Sequence, residues 1–150
     1  MIIDLKNIKF KWLSIICAGL CLLSALFAII HGGIYHQYFD IFVILFLILG
    51  TLAFAADGLL HNNVTSWVNL AGVFFASAGV ALYLVNSYNV WADTWGNISQ
   101  NGVLFGTFNF FGSEGGPVLP FLFLIVGIGA CVVGVTSTFK PFEPKEENNA

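Results

Sequence analysis

One aspartate and one histidine near the end of a long apolar stretch are the residues of this sequence best placed for chemistry. Asp57 lies in the run Ala55-Ala56-Asp57-Gly58, and His61 follows four residues later. Residues four apart share one face of a helix, so the carboxylate and the imidazole are expected to be neighbours. Ionisable residues inside apolar spans are rare and often functional. The pair is a candidate proton- or cation-sensitive site, although the favoured interpretation is an interfacial polar cluster that closes the helix, with Gly58 as its stop.

A second group of polar residues surrounds a short segment rich in glycine. His31, His36 and Asp40 lie close together in the sequence, and imidazole and carboxylate groups bind zinc or copper. A metal enzyme or redox protein built on these three residues is an alternative hypothesis, but their spacing matches no strong metal motif. Histidines at the level of lipid headgroups are the favoured interpretation. We predict no metal and no cofactor.

Catalytic motifs are missing from this sequence. There is no arginine to hold phosphate or carboxylate, no Gly-rich phosphate loop and no His-Glu-x-x-His. Cys17 and Cys21 are one helical turn apart, which is not a Cys-x-x-Cys redox motif, and Cys131 falls in another apolar stretch. The three cysteines are predicted to be small packing residues, and the protein is predicted not to be an enzyme.

The segment 87–116 is the only sizeable stretch between apolar runs, and it is rich in aromatic residues. These side chains need an apolar partner, which is either the outer headgroup layer, the top of the helical bundle, a partner protein, or a sugar or lipid headgroup. The candidate partner- or ligand-binding residues are Tyr88, Trp91, Asp93, Trp95, Phe105, Phe108, Phe110, Phe111 and Glu114.

The lysines, which carry the positive charges of the chain, lie at its two ends. The chain has five lysines, at positions 6, 9, 11, 140 and 145, and no arginine, and only 9 % of the residues are charged. Such a chain suits the lipid bilayer rather than water, and flanking lysines mark the cytoplasmic side. The sequence therefore predicts a multi-pass protein of the cell membrane with both termini in the cytoplasm. The lysines form no patch, so nucleic acid is not a predicted partner.

Both termini on one side require an even number of spans, and the apolar stretches supply four. Each is close to the length of about 20 residues that crosses a bilayer as a helix. We predict one all-α domain: a four-transmembrane-helix bundle with one longer external loop, 87–116, between helices 3 and 4. The predicted spans are about 12–30, 38–60, 66–86 and 117–139, and the tail 140–150 is cytoplasmic.

Small residues recur at helical spacing along three of the predicted spans. In lipid such stripes let helix backbones approach closely, and they predict a tight bundle, although one stripe could instead face a second copy or a partner. Polar residues in the spans, such as Asn69 and Ser77, are expected to make backbone or cross-helix hydrogen bonds. The stripes consist of Ser14, Ala18, Cys21, Ala25 and Ala28; of Gly72, Ala76 and Gly79; and of Gly127, Ala130 and Gly134.

A tight bundle without catalytic motifs, carrying one aromatic loop, predicts an accessory or structural subunit of a larger membrane assembly. Other membrane protein subunits, or further copies of the chain, are the predicted partners. The alternative is a small oligomeric transporter or channel subunit, with Asp57 and His61 near its cytoplasmic mouth.

Overall fold

The computed structural model describes residues 11–34, 40–60, 65–89, 92 and 118–139, and within these ranges the chain is helical with no strand. The four long helices are α1 (Trp12–Ile34), α2 (Ile41–Leu60), α3 (Thr65–Asn86) and α4 (Val118–Phe139). All four are long and apolar enough to cross a membrane. The predicted all-α fold with four such helices is confirmed. The predicted loop at 87–116 and the tail at 140–150 lie almost entirely outside the described residues.

The helix boundaries differ from the predicted ones mainly between α1 and α2. Helix α1 continues to Ile34, past Gly32 and Gly33, so His31 belongs to the helix and not to a loop. Helix α2 begins at Ile41 rather than at residue 38, because the Asp40 carboxylate accepts a hydrogen bond from the Phe42 amide, 2.8 Å away. That contact is an N-cap, which fixes the first turn of a helix.

Neighbouring helices run antiparallel around a four-sided bundle. Helix α1 packs against α2 and α4, and α3 packs against the same two helices. The end that contains Lys11, the last turns of α2 and α4 and the first turns of α3 is called the Lys11 end here. The opposite end, which contains His31, Asp40 and Tyr83, is called the Tyr83 end.

Close backbone approach holds the centre of the bundle together. A methyl group on Gly50 would lie 3.3 Å from the backbone nitrogen of Ala76, and one on Gly127 would lie 2.7 Å from a methyl of Val80. Helices that pack in lipid gain no hydrophobic drive from each other, so such close van der Waals contact supplies their attraction. The predicted inward-facing stripes are confirmed in the members that are buried or contact another helix: Ser14, Ala18, Cys21, Ala25, Ala28, Gly72, Ala76, Gly79, Gly127, Ala130 and Gly134.

Large side chains divide between a narrow core and an apolar exterior. Leu47, Phe54 and Phe123 are fully buried and fill the space between the helices. The outward side chains of every helix are predominantly apolar, with Trp12, Phe42, Phe74 and Ile125 among the most exposed. A helix surface that is apolar both inside and outside is typical of a membrane span.

Candidate functional site: a polar layer at the Lys11 end

Asp57 is buried at the Lys11 end and is paired with a lysine from the start of α1. The Lys11 Nζ atom lies 2.9 Å from Asp57 Oδ2, and the Asp57 side chain is only 1 % exposed. The Ser14 hydroxyl donates to the same carboxylate oxygen. The Ser14 and Ser137 hydroxyl oxygens are 2.8 Å apart, which connects the carboxylate to α4. One anion, one cation and two hydroxyl groups therefore link three helices.

The local sequence explains how these groups come together. The Lys11 amide donates to the Gly58 carbonyl, with the atoms 3.2 Å apart, so α1 begins directly against the last turn of α2. A methyl on Gly58 would lie 2.8 Å from Ile15 Cγ1. The glycine after Asp57 is thus required for the approach of α1. It does not stop the helix, since α2 continues to Leu60.

The charge balance of this site is neutral. A buried carboxylate without a partner is strongly unfavourable, and the loss of one member of a buried pair typically costs about 3–5 kcal/mol. The Lys11 ammonium removes this penalty. Its side chain is 15 % exposed, so the lysine reaches the carboxylate from the surface of the bundle.

Helix α3 contributes a fourth polar residue at the same level. Asn69 is fully buried, and its side-chain nitrogen donates to the Gly134 carbonyl at 3.4 Å and to the Thr138 hydroxyl at 3.1 Å. The expected cross-helix bond of Asn69 is therefore confirmed, whereas Ser77 bonds within its own helix, to the Phe74 carbonyl.

The register of the helices places Asn69 in the same layer as Asp57. Phe54 contacts Gly72 and Gly134 in one layer. One turn towards the Lys11 end from these three residues lie Asp57 on α2, Asn69 on α3 and Ser137 on α4. We call Ser14, Asp57, Asn69 and Ser137, one residue from each helix and none more than 1 % exposed, the polar layer.

One oxygen of the polar layer has no hydrogen-bond partner among the described residues. It is Oδ1 of Asn69. The orientation of this amide follows from its neighbour, because the Gly134 carbonyl only accepts hydrogen bonds and so faces the nitrogen. A buried acceptor without a donor costs about 1–3 kcal/mol. Among the described residues, the layer thus has an unpartnered oxygen on α3 in addition to its single carboxylate on α2.

The sequence located Asp57 but did not identify its partners. The predicted pairing with His61 stays a prediction, since His61 lies outside the described residues. In the sequence, Lys11 indicates only the topology, and Ser14 belongs only to a stripe of packing residues. A usable signal was present: Lys11 and Asp57 are both predicted on the cytoplasmic side, each at the end of a span.

At the Tyr83 end, a histidine and a tyrosine are buried together. The Tyr83 hydroxyl and His31 Nδ1 are 3.0 Å apart, and the Tyr83 ring stacks on Phe123 with ring centres 3.8 Å apart. Asp40 caps α2 and accepts a hydrogen bond from the Asn86 side chain. His31 and Asp40 therefore have structural contacts, and the described residues contain no group of three or more potential metal ligands. His36 lies outside the described residues.

The aromatic loop is described only at its beginning. Tyr88 is 69 % exposed and follows the last full turn of α3. The other predicted recognition residues lie outside the described residues: Trp91, Asp93, Trp95, Phe105, Phe108, Phe110, Phe111 and Glu114.

The cysteines take part in packing rather than in a reactive cluster. Cys17 and Cys21 are fully buried, and the Cys21 thiol donates to the Leu47 carbonyl at 3.2 Å. Cys131 is half-buried against the same core.

Comparison with family models, with curated proteins and with solved structures finds no match to this chain.

Proposed function

We propose that this chain is a four-span protein of the cell membrane, without catalytic activity, that serves as an accessory or structural subunit of a larger assembly. Four helices of sufficient length with apolar outward faces support the membrane location. The flanking lysines support cytoplasmic termini. Partner recognition is assigned to the aromatic segment 87–116.

The observation that carries this proposal is the set of hydrogen bonds that fixes the end of α3, where the aromatic segment begins. The Ser87 amide and hydroxyl both donate to the Tyr83 carbonyl, at 2.9 and 2.6 Å. The neighbouring Asn86 side chain donates to Asp40 at the start of α2. Tyr88 therefore projects from the end of α3 where that helix is tied to the start of α2. Exposed tyrosines on a rigid support are favoured anchors of protein interfaces, because little side-chain entropy is lost when they bind.

The interior of the bundle supports a structural role over a catalytic or conducting one. Leu47, Phe54 and Phe123 fill the axis and are fully buried. At the Lys11 end the Asp57 charge is already neutralised by Lys11. The transporter alternative therefore receives less support from a single copy of the bundle, since conduction would require a path between copies.

The test is cross-linking in the native membrane followed by native mass spectrometry of gently extracted protein. We expect a defined partner, either another membrane subunit or a second copy, to co-purify with the wild-type chain. The double variant Tyr88→Ala/Trp91→Ala should lose it. Trp67→Ala is the matched control, because Trp67 is 75 % exposed on the first turn of α3, at the opposite end of the bundle.

Two results would contradict the proposal. One is a wild-type chain that runs as a lone monomer and captures no partner in its own membrane. The other is a partner that is retained by Tyr88→Ala/Trp91→Ala but lost by Trp67→Ala, which would move the contact to the opposite end.

A further inference from the structure

We propose that the polar layer is a binding site for a monovalent alkali cation and that the Lys11 ammonium is its built-in competitor. The site is separate from the aromatic segment, which leaves the bundle at the Tyr83 end, and it does not depend on the proposed partner. Two observations support it: the oxygen groups linked through the carboxylate that holds the ammonium, and the Asn69 oxygen that has no partner among the described residues.

The donor set consists of oxygen atoms. Lys11 Nζ lies 2.9 Å from Asp57 Oδ2, and the Ser14 and Ser137 hydroxyls extend from the same carboxylate. Carboxylate, hydroxyl and amide oxygens are the ligands of hard cations, whereas transition metals favour imidazole and thiolate. The described residues contain no group of three His, Cys, Asp or Glu side chains, so this layer is not suited to zinc or copper.

The charge of the layer selects the valence of the ion. Asp57 is the only carboxylate in the polar layer, so without the lysine the layer carries a single negative charge. A monovalent cation restores neutrality as the ammonium does, whereas a divalent cation would leave an excess positive charge in a buried site.

Asn69 carries a potential cation ligand, its side-chain oxygen, to which no described residue donates a hydrogen bond. Its Oδ1 atom is buried and has no hydrogen-bond donor among the described residues, while its nitrogen is fixed by Gly134 and Thr138. A metal cation accepts several oxygen ligands at once and needs no donor hydrogen from them. Because the helix register puts Asn69 at the height of Asp57, we assign this amide oxygen to the proposed site as a further ligand.

Lys11 is able to leave the layer. It precedes the first residue of α1, and its side chain is 15 % exposed, so its ammonium can swing into solvent while its backbone stays bonded to Gly58. A tethered group competes at a high effective concentration. Wild-type protein should accordingly bind alkali cations weakly, and removal of the ammonium should expose the site.

The test is thermal unfolding of the full-length protein in detergent, in lithium, sodium, potassium or choline chloride at matched ionic strength. We expect Lys11→Gln to be stabilised by at least one alkali cation over choline, with a saturable dose response and an apparent affinity about ten-fold or more above that of wild type. The effect should disappear in Lys11→Gln/Asp57→Asn and weaken in Lys11→Gln/Asn69→Ala. A folded Lys11→Gln variant with no preference for any alkali cation over choline would overturn the proposal.

A second measurement covers the case in which Lys11→Gln does not fold. The ²³Na line width of a sodium solution is compared between wild type and Asp57→Asn, a variant that frees the lysine to enter solvent and so leaves no buried charge. A ²³Na line that is broader with wild type than with Asp57→Asn, and that narrows when lithium or potassium is added, would support the site. Equal line widths for the two proteins would overturn it.

Discussion

The Phe54 ring packs against two glycines on different helices, and this close approach is predicted to contribute to stability. A methyl on Gly134 would lie 2.8 Å from Val73 Cγ2 and 3.0 Å from Phe54 Cε1 and Cζ. Carbon atoms normally meet at about 3.5–4.0 Å. The β-branched Val73 has essentially one rotamer in a helix. The same side of the Phe54 ring also packs against Gly72, where a methyl would lie 3.0 Å from Cδ1 and Cε1, so the ring is closely packed against both helices. Gly134→Ala therefore forces α3 or α4 to move.

The expected change in the free energy of unfolding on Gly134→Ala is the sum of two opposing terms. Overpacking of a well-packed core costs about 1–3 kcal/mol. Glycine to alanine in a helix interior gains up to about 1 kcal/mol of helix propensity. Gly19 isolates the second term, because a methyl there would meet nothing within 4 Å. We expect Gly134→Ala to be less stable than Gly19→Ala by about 1–3 kcal/mol, since the propensity term is common to both variants.

The assay is reversible unfolding in mixed micelles titrated with dodecyl sulfate, followed by circular dichroism and tryptophan fluorescence. Phe54→Leu in the Gly134→Ala background provides a double-mutant cycle, and the smaller side chain should recover part of the loss. If Gly134→Ala were as stable as Gly19→Ala, the Phe54 ring would not be confined and the argument from close approach would be refuted.

Two further predictions concern the Tyr83 end and use the same titration. Tyr83→Phe removes the 3.0 Å hydrogen bond to His31 Nδ1 and should cost about 0.5–1.5 kcal/mol; an unchanged midpoint would mean that this bond contributes nothing. Asp40→Ala removes the N-cap of α2 and the partner of Asn86, and should cost about 1 kcal/mol. A cycle with Asn86→Ala should show positive coupling between the two side chains, and zero coupling would argue that the contact between α2 and α3 is incidental.

The sequence was sufficient to predict the helices and the faces by which they pack. The apolar stretches are long and separated by polar breaks, so the limits of α3 and α4 were predicted to within one residue. The small-residue stripes were equally recognisable in the sequence, because only small side chains let helix backbones approach closely in lipid. The boundary at His31 was wrong, since a histidine followed by two glycines resembles a helix end. The helix continues because the His31 side chain contacts Tyr83 and is shielded by it.

The partners of Asp57 could not be predicted from the sequence pattern alone. The sequence pattern points to His61, because it lies one helical turn from Asp57. Lys11 is 46 positions away, and its 2.9 Å contact depends on the antiparallel docking of α1 beside α2. The contributions of Ser137 and Asn69 depend further on the rotation of α3 and α4 about their axes. Sequence periodicity indicates which face of a helix is polar, but not which residue on another helix lies at the same height.

The adjacent layers of the bundle have different physical roles. The Phe54 layer depends on shape: glycines on α3 and α4 leave room for one ring, and no solvent species can replace that contact. The polar layer one turn away depends on charge, and an ammonium or a small cation can neutralise Asp57 in turn. Exchange at the polar layer therefore need not separate the helices, because the neighbouring ring holds α2, α3 and α4 in register. The two layers are close enough to couple, so a bundle loosened by Gly134→Ala should show weaker alkali selectivity in the Lys11→Gln background. Undiminished selectivity would mean that the oxygen ligands are positioned by the ends of the helices alone.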